Sequence, residues 1–159
     1  MVKINWIWIA SALFMISVGC SDPDIPYQRT FEIPGGRWAH DHILQDTWEC
    51  VTDIYKPYIV FKIHFSSDFG YQNLYLRTQW TNNDAEIFAD TFSIQLFDPT
   101  RGGWLGNQNG NNFVLSDTIS IQDTWKAGDL ISYQTIQFGR EEQVRGISEV
   151  QIQLLKSEM

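Results

Sequence analysis

Two histidines, His40 and His42, stand on either side of Asp41 and have the clearest capacity for metal chemistry in this sequence. In a β-strand, positions i and i+2 share a face, so both imidazoles would approach the same ion. Further ligands would have to come from His64 or from distant carboxylates, and no H-E-x-x-H pattern supplies them. We therefore assign no metal site, and a metal-dependent enzyme built on His40 and His42 stays as an alternative.

Signatures of covalent or acid–base catalysis are missing from the sequence. No G-x-S-x-G elbow occurs. Glu141 and Glu142 are adjacent, whereas glycoside hydrolysis needs two carboxyl groups facing each other across the substrate. Cys50 alternates with polar neighbours, which is typical of a small apolar core residue, and a catalytic thiol would need a nearby histidine base. We expect no catalytic residues, no cofactor and no enzymatic activity.

A third kind of chemistry, lipid attachment, is indicated at Cys20. Lys3 precedes an apolar stretch over residues 4–18, and Gly19 comes directly before the cysteine. This is the layout of a secretory signal, and the stretch is shorter than the 20 or so residues of a membrane-spanning helix. A cysteine at the cleavage site is typical of a bacterial lipoprotein, whose thiol is joined to diacylglycerol. The sequence predicts a signal peptide over residues 1–19, a lipidated Cys20 and a short acidic tether over residues 20–26.

Composition argues against polyanionic partners for the domain that follows the signal peptide and the tether. The whole chain has a formal net charge of −8, from 11 basic and 19 acidic residues, and no basic stripe is present. Nucleic acids and anionic lipid headgroups both reward clustered Lys and Arg, so neither is expected as a partner. Residues 27–159 are enough for one domain with its own core.

The elements that must position any site are strands, because apolar residues recur with a period of two and no long run has the helical period. Short strands separated by turn signals at this spacing predict an all-β fold, a single antiparallel β-sandwich of the jelly-roll or immunoglobulin type. The clearest strands fall within residues 59–66, 73–80, 91–96 and 150–154. Weaker ones are expected within residues 28–33, 47–53, 113–116, 118–122 and 130–138.

Two segments interrupt the strand rhythm. Residues 98–112 form a long loop rich in Gly and Asn, and loops of this length in a small domain are commonly functional. We expect it to present Trp104 and Arg101 to a partner, or to fold Trp104 back as its own hydrophobic anchor. Residues 140–146 are expected to make one helical turn or an irregular crossing before the last strand.

The tryptophans divide into two groups. Trp48 and Trp80 fit strand alternation and are expected in the core, whereas Trp38 and Trp104 stand beside Gly pairs and are the candidates for exposure. Exposed aromatic rings on a β-sandwich stack on sugars. A surface glycan-binding lipoprotein of a nutrient-uptake system is therefore the second functional interpretation.

The chain resembles the gliding-motility lipoprotein GldH family of Bacteroidetes. The segments that carry the resemblance are Ile33-Pro34-Gly35-Gly36-Arg37-Trp38, Asn73-Leu74-Tyr75-Leu76, the loop from Asp98-Pro99 through Gly103-Trp104-Leu105-Gly106, and the run from Gly139-Arg140-Glu141-Glu142 through Val144-Arg145-Gly146-Ile147 to Val150. They occur in order over almost the whole mature chain. Gly139 and Val144 depart from the usual Met and Leu.

The resemblance implies a non-enzymatic envelope component needed for gliding, with a role in assembling or stabilising the gliding and type IX secretion apparatus. Other envelope proteins of that apparatus are then the expected partners, besides the membrane reached through Cys20. We expect Trp38, Arg101 and Trp104 to contribute the docking surface, on residues 33–38 and 98–112. The acidic residues after Cys20 resemble export signals of surface lipoproteins, so outer-membrane attachment is expected, on either the periplasmic or the surface face.

Overall fold

The computed structural model describes residues 25–157. The predicted signal peptide, Cys20 and residues 21–24 of the tether therefore lie outside the described residues. The strands are β1 (Tyr27–Glu32), β2 (Arg37–Ala39), β3 (Leu44–Glu49), β4 (Ile54–Tyr55), β5 (Tyr58–Ser66), β6 (Asn73–Asn82), β7 (Ala85–Gln95), β8 (Phe97–Asp98), β9 (Gly103–Trp104), β10 (Asn107–Asn109), β11 (Asn112–Ser120), β12 (Thr124–Trp125), β13 (Leu130–Gln137), β14 (Gln143–Arg145) and β15 (Ile147–Leu155). One 3₁₀ turn covers Pro34–Gly36.

Two antiparallel sheets form the body of the domain. One has the strand order β1-β15-β5-β11-β10 and the other β3-β13-β6-β7. The pairs β1·β15, β3·β13, β5·β11 and β6·β7 are nested along the chain, each enclosing the next, and alternate pairs lie in alternate sheets. This is the winding of a jelly roll. The predicted all-β sandwich is confirmed, and of its two variants the jelly roll describes the topology.

The core lies between the two sheets because alternate side chains of each strand point inward. Phe61 and Ile63 of β5 and Ile152 of β15 come from the first sheet, and Leu76 and Trp80 of β6 from the second, all of them buried. The polar residues between them face outward, as expected for antiparallel strands with one solvated face. The alternation read from the sequence for residues 59–66, 73–80 and 150–154 therefore matches the observed strands.

An aromatic cluster closes one end of the core. Trp48 stacks on Tyr27 with ring centroids 3.9 Å apart, and it meets Trp80 and Trp125 edge-on at 6.1 and 6.0 Å. The Tyr27 hydroxyl donates to Asp46 Oδ2 at 2.7 Å. Burial, followed by the hydrogen bond with Tyr133, raises the pKa of Tyr27 far above its ordinary value. The cluster ties the first strand of the domain to the opposite sheet.

We name the two ends of the sandwich by their distance from the start of β1. The proximal pole is the end where β1 begins, next to Tyr58 and the loops that follow β3 and β12. The distal pole is the end where β1 stops at Glu32, next to Ser66 and Ile147. Because every long strand runs from one pole to the other, each loop belongs to one pole or the other.

The structure corrects several strand and loop predictions. Residues 113–122 do not contain two strands, since β11 runs unbroken over Asn112–Ser120. The strand expected over residues 47–53 begins earlier and ends at Glu49. Residues 98–112 are not a structureless loop, because β8 pairs with β9 and β10 pairs with β11. In residues 140–146 the irregular crossing is observed rather than the helical turn, and it contains β14, paired with β2.

Candidate functional site

Trp38 is not on the surface. It lies on β2, its side chain is fully buried, and its indole Nε1–H donates to the carbonyl oxygen of His42 at 2.9 Å. The expectation that the Gly35-Gly36 pair would present it to a partner is therefore wrong. The two glycines take positive φ values of 60° and 64°, and this turn brings the chain back so that Trp38 enters the core.

Trp104 and Arg101 differ in how far their side chains are buried. Trp104 is half-buried and packs on a group of phenylalanines, with ring centroids 5.8 Å from Phe65 and 5.1 Å from Phe97. Of the two roles considered for Trp104, the hydrophobic anchor is the one observed. Arg101 remains outside: its side chain is 84% exposed and its guanidinium lies 3.5 Å from Asp98.

The two histidines do not share a strand face. His40 and Asp41 lie in the turn that follows β2, where His40 Nε2 is 3.2 Å from the carbonyl oxygen of Gly139. Among residues 25–157, no three side chains of His, Cys, Asp or Glu gather closely enough to hold a metal ion. Cys50 is buried and free, and burial raises the pKa of its thiol to about 11. This is the environment of an inert core thiol.

The segments that carry Trp38 and Trp104 both pack behind the same surface feature, a cleft at the distal pole. Trp38 pairs across β2 and β14 with Val144, which lines the cleft. Trp104 meets Phe69 edge-on with ring centroids 6.5 Å apart, and Phe69 also lines the cleft. The segments expected to contact a partner thus form the structure behind a surface made of other residues.

The cleft has a volume of about 650 Å³, within the usual range of small-ligand and side-chain pockets. Its mouth carries three large exposed rings: Tyr71 is 47% exposed, Tyr75 46% and Phe138 42%. Gln72 and Asn73 add amide groups beside the rings. Exposed rings clustered in one concavity are typical of a binding site.

Charged side chains frame the rings. The Arg77 guanidinium lies 3.7 Å from the centroid of the Phe138 ring, a cation–π contact that holds the ring in place. The Tyr71 hydroxyl faces the Glu141 carboxylate, and desolvation together with that negative charge raises the pKa of Tyr71. Arg140 stands beside Glu141 in the lining. The mouth therefore presents charges of both signs around an apolar centre.

The rings are attached to rigid backbone. The Phe138 amide donates to the carbonyl oxygen of Tyr75 at 2.8 Å, which joins the two ring-bearing segments. Below them, the fully buried Gln137 accepts from the Gly139 amide at 2.9 Å through Oε1 and donates through Nε2 to the carbonyl oxygens of Glu141 and Glu142. One buried amide thus orders residues 139–142, the segment that carries Arg140 and Glu141.

Sequence reasoning did not select the rings of the cleft. Tyr75 is an outward position of an alternating strand, where a large aromatic residue among Asn73, Arg77 and Gln79 is the available signal. Phe138 ends the predicted strand of residues 130–138 and precedes Gly139. Only the pairing of β6 with β13 brings these two residues together, and no local pattern encodes that pairing.

Comparison with known proteins settles the family. The family model described as GldH lipoprotein matches residues 26–154, which is nearly the whole described domain. The chain belongs to this family. Membership in the GldH lipoprotein family places the chain among lipid-anchored proteins of the cell envelope in gliding-motility-related systems. No helix in the described part of the chain is long and apolar enough to cross a membrane.

The other comparisons add little. No curated protein matches the sequence. Similar solved structures include the crystal structure of dimeric latent PorU from Porphyromonas gingivalis, at 10% sequence identity and a TM-score of 0.35. That alignment covers 87% of this chain and 14% of the PorU chain, so the present chain spans about a seventh of its length.

Proposed function

We propose that this chain is a non-enzymatic lipoprotein required for gliding motility, which assists the assembly or stability of the gliding and type IX secretion apparatus. The observation that carries the proposal is the family match over residues 26–154. The apolar stretch of residues 4–18 followed by Gly19 and Cys20 supports a lipid anchor on Cys20. Attachment to the outer membrane completes the proposal, with other envelope proteins of the apparatus as partners.

The distal cleft is the proposed docking site for such a protein partner. Three exposed rings on an ordered backbone allow an apolar side chain of the partner to be buried, and Arg140 and Glu141 give polar contacts at the rim. This combination of aromatic centre and polar rim is the usual anatomy of a protein interface. Arg101, exposed beside Asp98, extends the proposed surface along residues 98–102.

Gliding speed of single cells on glass tests the proposal. An in-frame deletion strain should stop gliding, and restoring the wild-type copy should revive it. Incorporation of radiolabelled fatty acid into the wild-type protein, and its loss on Cys20→Ser, would establish the anchor independently. Normal gliding of the deletion strain would remove the motility role and leave only the family and the fold.

Glycan binding is the second candidate, and the cleft is what favours it. Tyr71, Tyr75 and Phe138 give rings for stacking, and Gln72 and Asn73 give amides for sugar hydroxyls. Titration of soluble polysaccharide fragments into purified protein distinguishes the two functions. Saturable binding that disappears in Tyr75→Ala would favour glycan recognition, whereas no binding by wild-type protein would leave the protein partner as the occupant.

A further inference from the structure

Large exposed apolar side chains gather at the proximal pole as well as at the cleft. Val51 is 81% exposed, and Tyr55, Tyr58 and Leu130 are also on the surface. Val51 and Tyr55 belong to the segment between β3 and β5, Tyr58 begins β5 and Leu130 begins β13. Exposed apolar residues scattered singly are ordinary, but several at one end of a small domain mark a contact surface.

The two loops that carry these side chains are tied together. The Cys50 amide donates to the carbonyl oxygen of Asp129 at 2.8 Å, and the Gly128 amide donates to that of Cys50 at 2.8 Å. Lys126 Nζ lies 2.9 Å from Asp53 Oδ2. The apolar side chains at this pole are therefore presented by a cross-linked platform rather than by separate loops.

Acidic groups outnumber basic ones at the proximal pole. Lys56 and Lys126 are on the surface there, but Asp53 pairs with Lys126, and Asp123 and Asp129 lie in the same region. Clustered basic residues are what bring a protein to anionic lipid, and this pole has no excess of them. A membrane or a protein that binds at this pole therefore contacts its apolar and tyrosine side chains.

The position of the pole relative to the proposed anchor selects its partner. The described chain begins at Ile25, next to Tyr27 at this pole. Five residue steps separate Cys20 from Ile25, and an extended chain covers at most about 18 Å in five steps. A lipid on Cys20 therefore keeps Ile25, just before β1, within that distance of the bilayer surface, and the proximal pole is the end of the domain nearest to it.

We propose that the proximal pole lies on the bilayer interface, with Val51, Tyr55, Tyr58 and Leu130 in the headgroup region. Tyrosine favours this region because its ring is apolar and its hydroxyl remains hydrated. The inference rests on the proposed lipid on Cys20. It directs the distal cleft away from the membrane, since β5 alone, nine residues from Tyr58 to Ser66, spans about 30 Å at 3.3 Å per residue.

Site-specific fluorescence on the lipidated full-length protein tests this orientation. An environment-sensitive probe is placed on Tyr55→Cys at the proximal pole and, in a matched sample, on Ser93→Cys, an exposed residue of β7. Cys50 is buried, and Cys20 is occupied in the lipidated protein, so each variant takes up one probe. The protein is then placed in phosphatidylethanolamine and phosphatidylglycerol vesicles containing a nitroxide-labelled lipid.

The expected result is a blue-shifted, strongly quenched probe at position 55 and an unquenched probe at position 93. Because the contact is apolar, the quenching should persist when phosphatidylglycerol is omitted. Val51→Asp combined with Leu130→Asp should abolish it, whereas Ile43→Asp, a control at a similarly exposed apolar residue away from this pole, should not.

Equal exposure of both probes to water would overturn the inference and leave the proximal pole for a protein partner. The fatty-acid labelling of Cys20 separates this failure from failure of the proposed function. Acylated protein with a water-exposed probe at position 55 contradicts the orientation alone, whereas unacylated protein contradicts the anchor itself.

Discussion

Gly146, between β14 and β15, is the residue whose substitution should most directly disturb the wall of the cleft. Its φ is +81°, and a Cβ added there would lie 2.5 Å from the backbone nitrogen of Phe69. Its amide donates to Gly36 and its carbonyl oxygen accepts from Ser66, both at 2.8 Å. A side chain at this position would therefore be strained by the positive φ. It would also overlap the backbone of Phe69, which borders the cleft.

Gly146→Ala should lower the free energy of unfolding by at least roughly 1–3 kcal/mol, the range for a strained backbone conformation, and the backbone overlap adds to it. Chemical denaturation followed by tryptophan fluorescence measures the change. Gly103→Ala is the matched control, since Gly103 has no positive φ and nothing lies within 4 Å of its added Cβ. Equal stability of the two variants would show that the close approach at Gly146 is relaxed in solution.

Trp38 and Trp104 show which part of the site sequence reasoning reaches. Both lie behind one cleft, through Val144 and Phe69, but neither ring lines it. The neighbouring Gly pairs predict that both rings are exposed, but at Gly35-Gly36 the glycines make the turn that buries Trp38. Whether a side chain after a glycine turn points inward or outward depends on which strand the chain pairs with next. For Trp38 that strand is β14, which is distant in the sequence.

At the scale of elements, the β8–β9 hairpin keeps Trp104 in its phenylalanine group and leaves Arg101 at its tip. Trp104→Ala should lower the free energy of unfolding by about 2–4 kcal/mol, somewhat less than a fully buried Trp would cost. Arg101→Ala should change it by no more than about 0.5 kcal/mol, because an exposed ion pair contributes little.

Partner capture by the same two variants separates their roles. If Arg101 contacts the partner, Arg101→Ala weakens capture of envelope proteins at unchanged stability. Trp104→Ala weakens capture only through its effect on Phe69 and the cleft. Undiminished capture by the double variant would remove residues 98–112 from the docking surface and leave the cleft rings to be tested alone.

The long strands were predictable because each has enough residues to show alternation, as in β5 and β6. The two- and three-residue strands β8, β9, β10 and β14 were not, since such a short pairing has no period to detect. Sequence pattern also left the jelly roll and the immunoglobulin sandwich equally open. The nested order of strand pairs decides between them, and strand order depends on contacts between residues far apart in the chain.

For the whole molecule, the cleft is a product of complete folding. Its lining comes from residues 69–75, Thr91 and residues 137–144, brought together by β6·β7, β6·β13 and β2·β14 pairing. The β6·β13 and β2·β14 pairs join segments far apart in the chain, so the cleft cannot form in a fragment that lacks β2 or the segment from β13 to β14. The proposed anchor, by contrast, would depend only on the residues around Cys20. Anchoring and recognition are therefore separable by substitution.

Two variants returned to a deletion strain make that separation measurable. Tyr75→Ala combined with Phe138→Ala should leave the protein folded and in the membrane fraction, because both rings are exposed, yet fail to restore gliding if the cleft binds the partner. Cys20→Ser should release the folded protein from the membrane fraction. Ile43→Ala, an exposed apolar residue outside the cleft lining, should restore full gliding. Gliding restored by the Tyr75 and Phe138 variant would show that the partner binds elsewhere, and the exposed Arg101 tip would then be the next surface to alter.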